Sequence, residues 1–150
     1  VMDSSTTVLI FEAPVDSGLY RDALRLREDI LRRPLGLAVN HEELADDTMR
    51  QHFCAVDCGV VVGTVSLRPL DETTLHLKQM AVAEQKRDVR IGSQLVAHAE
   101  HWGASAGFRI MIAHARVGAE GFYLKHGYTQ DGEAFFEQTI PHVRVTKRLA

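Results

Sequence analysis

Residues 79–95 read QMAVAEQKRDVRIGSQL. The order of chemical types in this stretch decides the fold: an apolar run, a polar run, then apolar residues at helical spacing. Thr74–Val82 is a strand by composition, with Leu75, Leu77 and Ala81 opposing His76, Lys78, Met80 and Val82. Mixed faces of that kind suit a central strand covered on both sides. Glu84–Arg90 is a polar loop. A long helix follows, from about Val89 to Ala106, on a stripe of Ile91, Leu95, Ala99, Trp102 and Ala106, and Gly107 ends it. The opening of a helix carries N–H groups with no intrahelical partner and a partial positive charge. A phosphate placed there accepts several hydrogen bonds. Arg87 and Arg90 add full charges, and Gly92 permits close approach of a ligand to the backbone. The competing reading is a strand-to-helix loop with solvated arginines, and spacing alone does not choose between them.

Working outward, Val8–Ala13 is a first strand. Asp16 or Ser17 caps a helix over Leu19–Arg32, which Pro34 and Gly36 stop. Its arginines read as a solvated face. Asn40 caps a shorter helix, His41–Arg50, whose acidic start suits the helix dipole. Gln51–Asp57 and Val60–Arg68 are strands joined by a turn at Cys58-Gly59. Beyond the long helix, Phe108–Ala113 is a buried strand, Ala119–Lys125 a short helix, and Tyr128–Gln130 and His142–Arg148 two final strands around a Gly132 turn. Three strands on tight turns, then a strand–helix–strand crossover, predict an α/β (α+β) fold: a mixed, largely antiparallel sheet with helices on both faces.

Composition bounds the function. The chain has 150 residues and 16.7 kDa, so one domain over 1–150 is expected. Apolar residues at 45% suffice for a core, and charged residues at 25% exclude a disordered chain. A net charge of −3 and a pI near 6.2 give no overall pull towards nucleic acid or an anionic membrane. No apolar run approaches the roughly 20 residues that span a bilayer, and the N-terminal stretch lacks a signal-peptide pattern. Two cysteines, Cys54 and Cys58, cannot build a disulfide scaffold, so reduced thiols and a cytoplasmic setting are expected. No metal site is expected. His98, Glu100 and His101 do not form an HExxH pattern, and His52, Cys54 and Cys58 lack ligand-pair spacing and a fourth ligand.

A second segment carries chemistry. Residues 113–128 read AHARVGAEGFYLKHGY. An aromatic pair on a short helix is usually core, but a Tyr hydroxyl facing a cleft can act as a general acid. Together, in this order and separation, the two segments resemble the GNAT superfamily of acyl-CoA-dependent N-acetyltransferases. Met80-Ala81-Val82 followed by Arg87-Asp88-Val89-Arg90-Ile91-Gly92 matches that family's strand end and Arg/Gln-x-x-Gly-x-Gly/Ala loop. Ala119 through Phe122-Tyr123-Leu124-Lys125-His126-Gly127-Tyr128 matches its later signature. The resemblance covers nearly the whole chain. Two positions depart from it: Asp88, where Gly is common, and Arg90, where Gly is frequent.

The resemblance implies a parting between the fourth and fifth strands, with the pantetheine arm of acetyl-CoA in the gap. It implies that backbone groups of Met80 and Val82, beside Ala81, pair with the pantetheine amides. The amides from Arg87 through Asp88, Val89, Arg90, Ile91 and Gly92 to Ser93 would then receive the diphosphate. Ala119, Phe122 and Lys125 complete the cofactor contacts. The implied reaction is direct transfer of acetyl to a primary amine of a small molecule or peptide. An N–H near Met80 would stabilise the oxyanion and Tyr123 would protonate the departing thiolate, with neither a metal nor a covalent enzyme intermediate. The base is open among His114, His76, Glu84 and His142, with His114 first because it is read at a strand's carboxyl end. A homodimer completed by the final strand is frequent in such proteins. Two other readings compete: a non-catalytic acyl-CoA-binding or regulatory module of the same fold, and an interaction domain without a nucleotide ligand.

Overall fold

The computed structural model describes residues 8–137 and 139–149, and for 87–89 the backbone alone. Among the described residues the order is β1 (Val8–Glu12), α1 (Gly18–Arg27), α2 (His41–Asp47), β2 (Gln51–Asp57), β3 (Val60–Pro69), β4 (Thr74–Val82), α3 (Ile91–Ser105), β5 (Ile110–Arg116), α4 (Glu120–Lys125), β6 (Thr129–Gln130), β7 (Phe135–Glu137) and β8 (Ile140–Arg148). Hydrogen-bonded neighbours follow β1-β2-β3-β4-β5-β8-β6, and β7 also pairs with β8. β1 with β2 is antiparallel, as are β5, β6 and β7 with β8. β4 and β5 run parallel, which requires a crossover, and α3 lies in that connection. Their register runs from Thr74↔Ile110 to Leu77↔Ala113 and stops there, short of the end of β4 at Val82. β5 by contrast pairs with β8 from Ile110 to Arg116.

The chain sorts into two compact units. One runs to Ser66 and takes in Gln79–Ala99; the other is Leu67–Lys78 with Glu100 onward. In the first, Ser17 caps α1, its hydroxyl accepting from the Tyr20 N–H at 3.1 Å. Asn40 caps α2 through the Glu43 N–H at 2.9 Å. Both helices stop earlier than sequence spacing predicts. α1 ends at Arg27 and widens into a π turn over Glu28–Arg32, then tightens into a 3₁₀ turn over Arg33–Leu35 that a left-handed Gly36 closes. α2 ends at Asp47 because the N–H groups of Thr48, Met49 and Arg50 reach back only three residues. The arginines are not all a solvated face. Arg27 and Arg32 are buried, paired with Asp47 and Glu43 respectively.

β2 and β3 form a hairpin whose two turn residues, Cys58 at φ 51° and Gly59 at φ 79°, both have the positive angles of a two-residue turn matched to strand twist. Cys54 is buried and Cys58 exposed. Phe53, Cys54, Ala55, Val65, Ile91, Leu95, Val96 and Ala99 form the packed interior of this unit. Gly63 makes room for this packing: an added Cβ would lie 2.8 Å from Ile91 Cγ2 and 3.0 Å from Leu95 Cδ1, and those side chains would have to shift. The first turn of α3 is thereby seated directly on β3.

In the second unit Leu75, Leu77, Met111, Ala113, Val143 and Val145 are buried. Trp102 stacks on Phe108 with centroids 6.4 Å apart. Ala106, expected in the buried stripe, is exposed, because α3 ends at Ser105. The fifth strand starts later and ends later than expected, at Ile110 and Arg116, so His114 lies within it and not at its end. β7, read from sequence as part of a turn, is a short strand on β8. No helix among the described residues is long and apolar enough to cross a membrane.

Candidate active site

The first unit contributes the end of β4, the turn after it and the start of α3. Met80 and Val82 are half-buried and Ala81 is buried. The Ala83 N–H donates to Val62 O at 2.8 Å, which ties the strand end to β3. A 3₁₀ turn over Glu84–Val89 replaces the expected loop. The Lys86 ammonium lies 2.7 Å from Asp57 Oδ2 and holds that carboxyl below its ordinary range. Arg90 then takes the left-handed conformation at φ 63°, ψ 26°, and α3 starts at the next residue. This is the position where the motif often carries Gly, and the reason is now geometric: the chain must turn through a region that side chains disfavour. The Gln94 N–H reaches back to Arg90 O at 3.0 Å. Ile91, Gly92 and Ser93 thus form the opening turn. The Ile91 side chain is fully buried in the interior, so only its backbone is left for a ligand. The side chains of Arg87, Asp88 and Val89 lie outside the described residues.

The second unit holds a cluster of titratable groups. His114 on β5 places Nδ1 3.0 Å from Glu137 Oε1 on β7. The other Glu137 oxygen is 4.0 Å from His142 Nε2 on β8. His142 Nδ1 donates to Ile140 O at 2.8 Å. The His76 ring on β4 lies 4.6 Å from the His114 ring, and Phe135 presents its edge to His114 at 4.9 Å. Glu137 is depressed to about 2, first by the His114 hydrogen bond and further by the charges of Lys78, His114 and His142. The ionised carboxylate accepts the Nδ1–H of His114, so a proton exchanged by that ring passes through Nε2. The chemistry this allows is uptake of a proton.

Tyr123 on α4 is buried, its ring against Phe122 at 5.1 Å and Tyr128 at 5.5 Å. Burial pushes its phenol up to about 12, so it is protonated at any neutral pH. Phe122 is half-buried, and Ala119 and Lys125 are exposed at the two ends of the same helix. The structure therefore brings Met80, Ala81, Val82, Arg90, Ile91, Gly92 and Ser93 together in one unit. In the other it places His114 on β5, and Tyr123, Phe122, Ala119 and Lys125 along α4. Of the remaining base candidates, His142 is buried beside Glu137 and Glu84 is exposed on the 3₁₀ turn.

Sequence reading missed Glu137. The only signal was an apolar-acidic triplet, Phe135-Phe136-Glu137, too short to register as a strand.

The model of the acetyltransferase (GNAT) family matches residues 19–128. A candidate acetyltransferase of Bacillus subtilis (strain 168) is 29% identical over 129 residues, covering 84% of this chain and 87% of that protein. The crystal structure of a candidate N-acetyltransferase from Lactobacillus plantarum superposes with a TM-score of 0.84 at 22% identity, over 95% of this chain and 99% of that one. That of a GNAT family acetyltransferase from Elizabethkingia anophelis, with acetyl-CoA bound, gives 0.72 at 20% identity, over 95% and 98%. With the family model spanning the strand end, the turn into α3 and the α4 motif alike, the chain belongs to the GNAT family of acetyltransferases.

Proposed function

We propose that the protein transfers the acetyl group of acetyl-CoA directly to a primary amine of a small molecule or peptide. The observation that carries the reading is the left-handed Arg90 leading straight into α3, one 3₁₀ turn after Met80-Ala81-Val82, within the matched family segment. The acetyl-CoA in the Elizabethkingia anophelis structure supports the choice of donor. Backbone groups of Met80 and Val82 receive the pantetheine amides, and the opening turn of α3 receives the diphosphate. Ala119, Phe122 and Lys125 complete the cofactor contacts.

Acetyl-CoA supplies an activated carbonyl: the amine nitrogen bonds to its carbon as the C–S bond breaks. An ammonium has no lone pair, so a proton must leave first. His114 Nε2 takes it, with Glu137 holding the opposite ring nitrogen. The Met80 N–H faces the charge that develops on the carbonyl oxygen. Tyr123 gives a proton to the departing thiolate, and the second proton, shed by the newly bonded nitrogen, restores the phenol, so that the products are the amide and the CoA thiol. A phenol near 12 is a weak donor to a thiolate in water, whose thiol titrates near roughly 8.5. Burial narrows that gap. Burial, with a smaller push from the Asp22 charge, lifts the Cys54 thiol of this same protein to about 11, and a desolvated thiolate gains basicity in the same way.

The direct test is release of free CoA thiol against a panel of a polyamine, an amino acid, an aminoglycoside and a lysine peptide. Turnover with at least one amine is expected. CoA bound by calorimetry with no amine acetylated would favour a binding or regulatory module instead.

Arg90 separates backbone from charge. Arg90→Gly is expected to raise stability by about 1 kcal/mol, because glycine adopts a positive φ without strain. It should also weaken CoA binding roughly fivefold, through loss of a cation near the diphosphate. A thermal melt and a calorimetric titration read the two effects separately.

A further inference from the structure

Gln79 sits in the middle of β4 with φ at 60°, a left-handed residue inside a strand and not a glycine. Its side chain is buried, and its single amide oxygen is held twice: by Arg27 Nη1 at 3.2 Å and by Ser66 Oγ at 2.9 Å. Arg27 is itself fixed. Its Nη1 and Nη2 reach Asp47 Oδ1 and Oδ2 at 3.3 and 2.9 Å, and Arg27 and Asp47 are both buried. Asp47 also accepts from the Tyr20 hydroxyl, and its backbone oxygen meets His52 Nε2 at 2.9 Å. Arg50 Nη1 also donates to Ser66 Oγ at 3.5 Å, and its Nε pairs with Asp46. Every group in this network belongs to the first unit.

An apolar side chain would fill the same space without the desolvation that a buried ion pair incurs. The network instead makes a directional hold on one amide oxygen. A second carboxylate at position 79 would be surplus, because Asp47 already balances Arg27; the neutral amide of Gln accepts from Arg27 without adding charge. The gripped residue is the one immediately before Met80. A left-handed residue in a strand reverses the regular alternation of backbone N–H directions, so whatever keeps it left-handed sets where the next N–H points.

We propose that Gln79 is a positioning residue: Arg27 and Ser66, through its buried amide, lock the left-handed turn of β4 and thereby aim the Met80 N–H. The kinetic consequence rests on the acetyl-transfer reading above; the structural consequence does not. Two variants separate the clamp from the fold. Gln79→Gly removes the amide and tolerates the positive φ. Gln79→Met keeps the side-chain length and removes the acceptor.

The first readout is amide hydrogen exchange over residues 79–82 of the ligand-free protein, with α3 amides as internal control. Both variants are expected to speed exchange there more than tenfold while α3 is unchanged. The second is kinetics: kcat falls about thirtyfold in Gln79→Gly, with the KM for acetyl-CoA and the calorimetric Kd of CoA within threefold of wild type. Unchanged exchange at 79–82 overturns the proposal. So does unchanged kcat in an active enzyme, or a parallel loss of kcat, CoA affinity and Tm, which marks a purely structural role. If the wild-type protein acetylates no amine, the proposed function fails, and exchange at 79–82 still decides the clamp.

Discussion

His114→Ala is expected to lower kcat by 10²- to 10³-fold at neutral pH, within the range that positioned proton transfer contributes. Glu137→Gln should cost about tenfold, because it leaves the imidazole in place and removes only the carboxylate that fixes its tautomer. The double variant should be no worse than His114→Ala alone, since Glu137 acts through the ring. Steady-state CoA release with one accepted amine measures all three. Full turnover by His114→Ala removes the histidine from its role, and additive losses remove the coupling. Glu137 also predicts a pH effect on stability. Its carboxyl titrates near 2 when folded, against 4.5 ordinarily. A depressed folded value stabilises the protein above the unfolded one, and that contribution drains away as pH falls from about 4.5 to 2. Allowing for solvent around a partly exposed pair, it amounts to roughly 1–2 kcal/mol. Denaturant melts from pH 6 to 3 should show a steeper loss in wild type than in Glu137→Gln.

The second large effect concerns Tyr123→Phe. The substitution removes one oxygen and keeps the ring packing against Phe122 and Tyr128. A fall in kcat of about 10²-fold is expected, with the KM for acetyl-CoA moving less than threefold, because the phenol is asked to act on the leaving thiolate and not on binding. Tm should hold or rise. The raised phenol, near 12 against 10 ordinarily, gives stability that is intact below about pH 10 and lost as pH climbs towards 12. The Phe variant should lack the part of the alkaline melt that comes from this group. Undiminished turnover would take Tyr123 out of the reaction.

Much of this architecture was legible from residues alone, and the failures share a cause. The strand–turn–helix of residues 74–105 announced itself through a change of period, from mixed strand faces to a buried helical stripe. Asn40 was readable as a cap, and the first cap was narrowed to Asp16 or Ser17, of which Ser17 serves, because capping is a local hydrogen bond. The π turn after α1 was not, since a shift from i−4 to i−5 bonding over five residues leaves the apolar spacing almost untouched. Arg27 looked solvated because its partner Asp47 is 20 residues away and Gln79 is 52 away. The sign of φ at Gln79 is invisible to an alternating pattern. Glu137 was hidden in a three-residue strand that exists only because β8 pairs with it. Within the site, the two motif segments were found and their supporting residues were not. Motifs are contiguous in the chain, whereas the groups that hold them come from other elements.

The hairpin joining β2 and β3 has a practical consequence. Its tip carries an exposed thiol, while burial lifts the protein's other thiol, Cys54, to about 11 and keeps it protonated. A maleimide dye therefore attaches at a single natural position, Cys58, without mutagenesis. Fluorescence anisotropy or energy transfer from that label would follow ligand encounters on the unaltered chain.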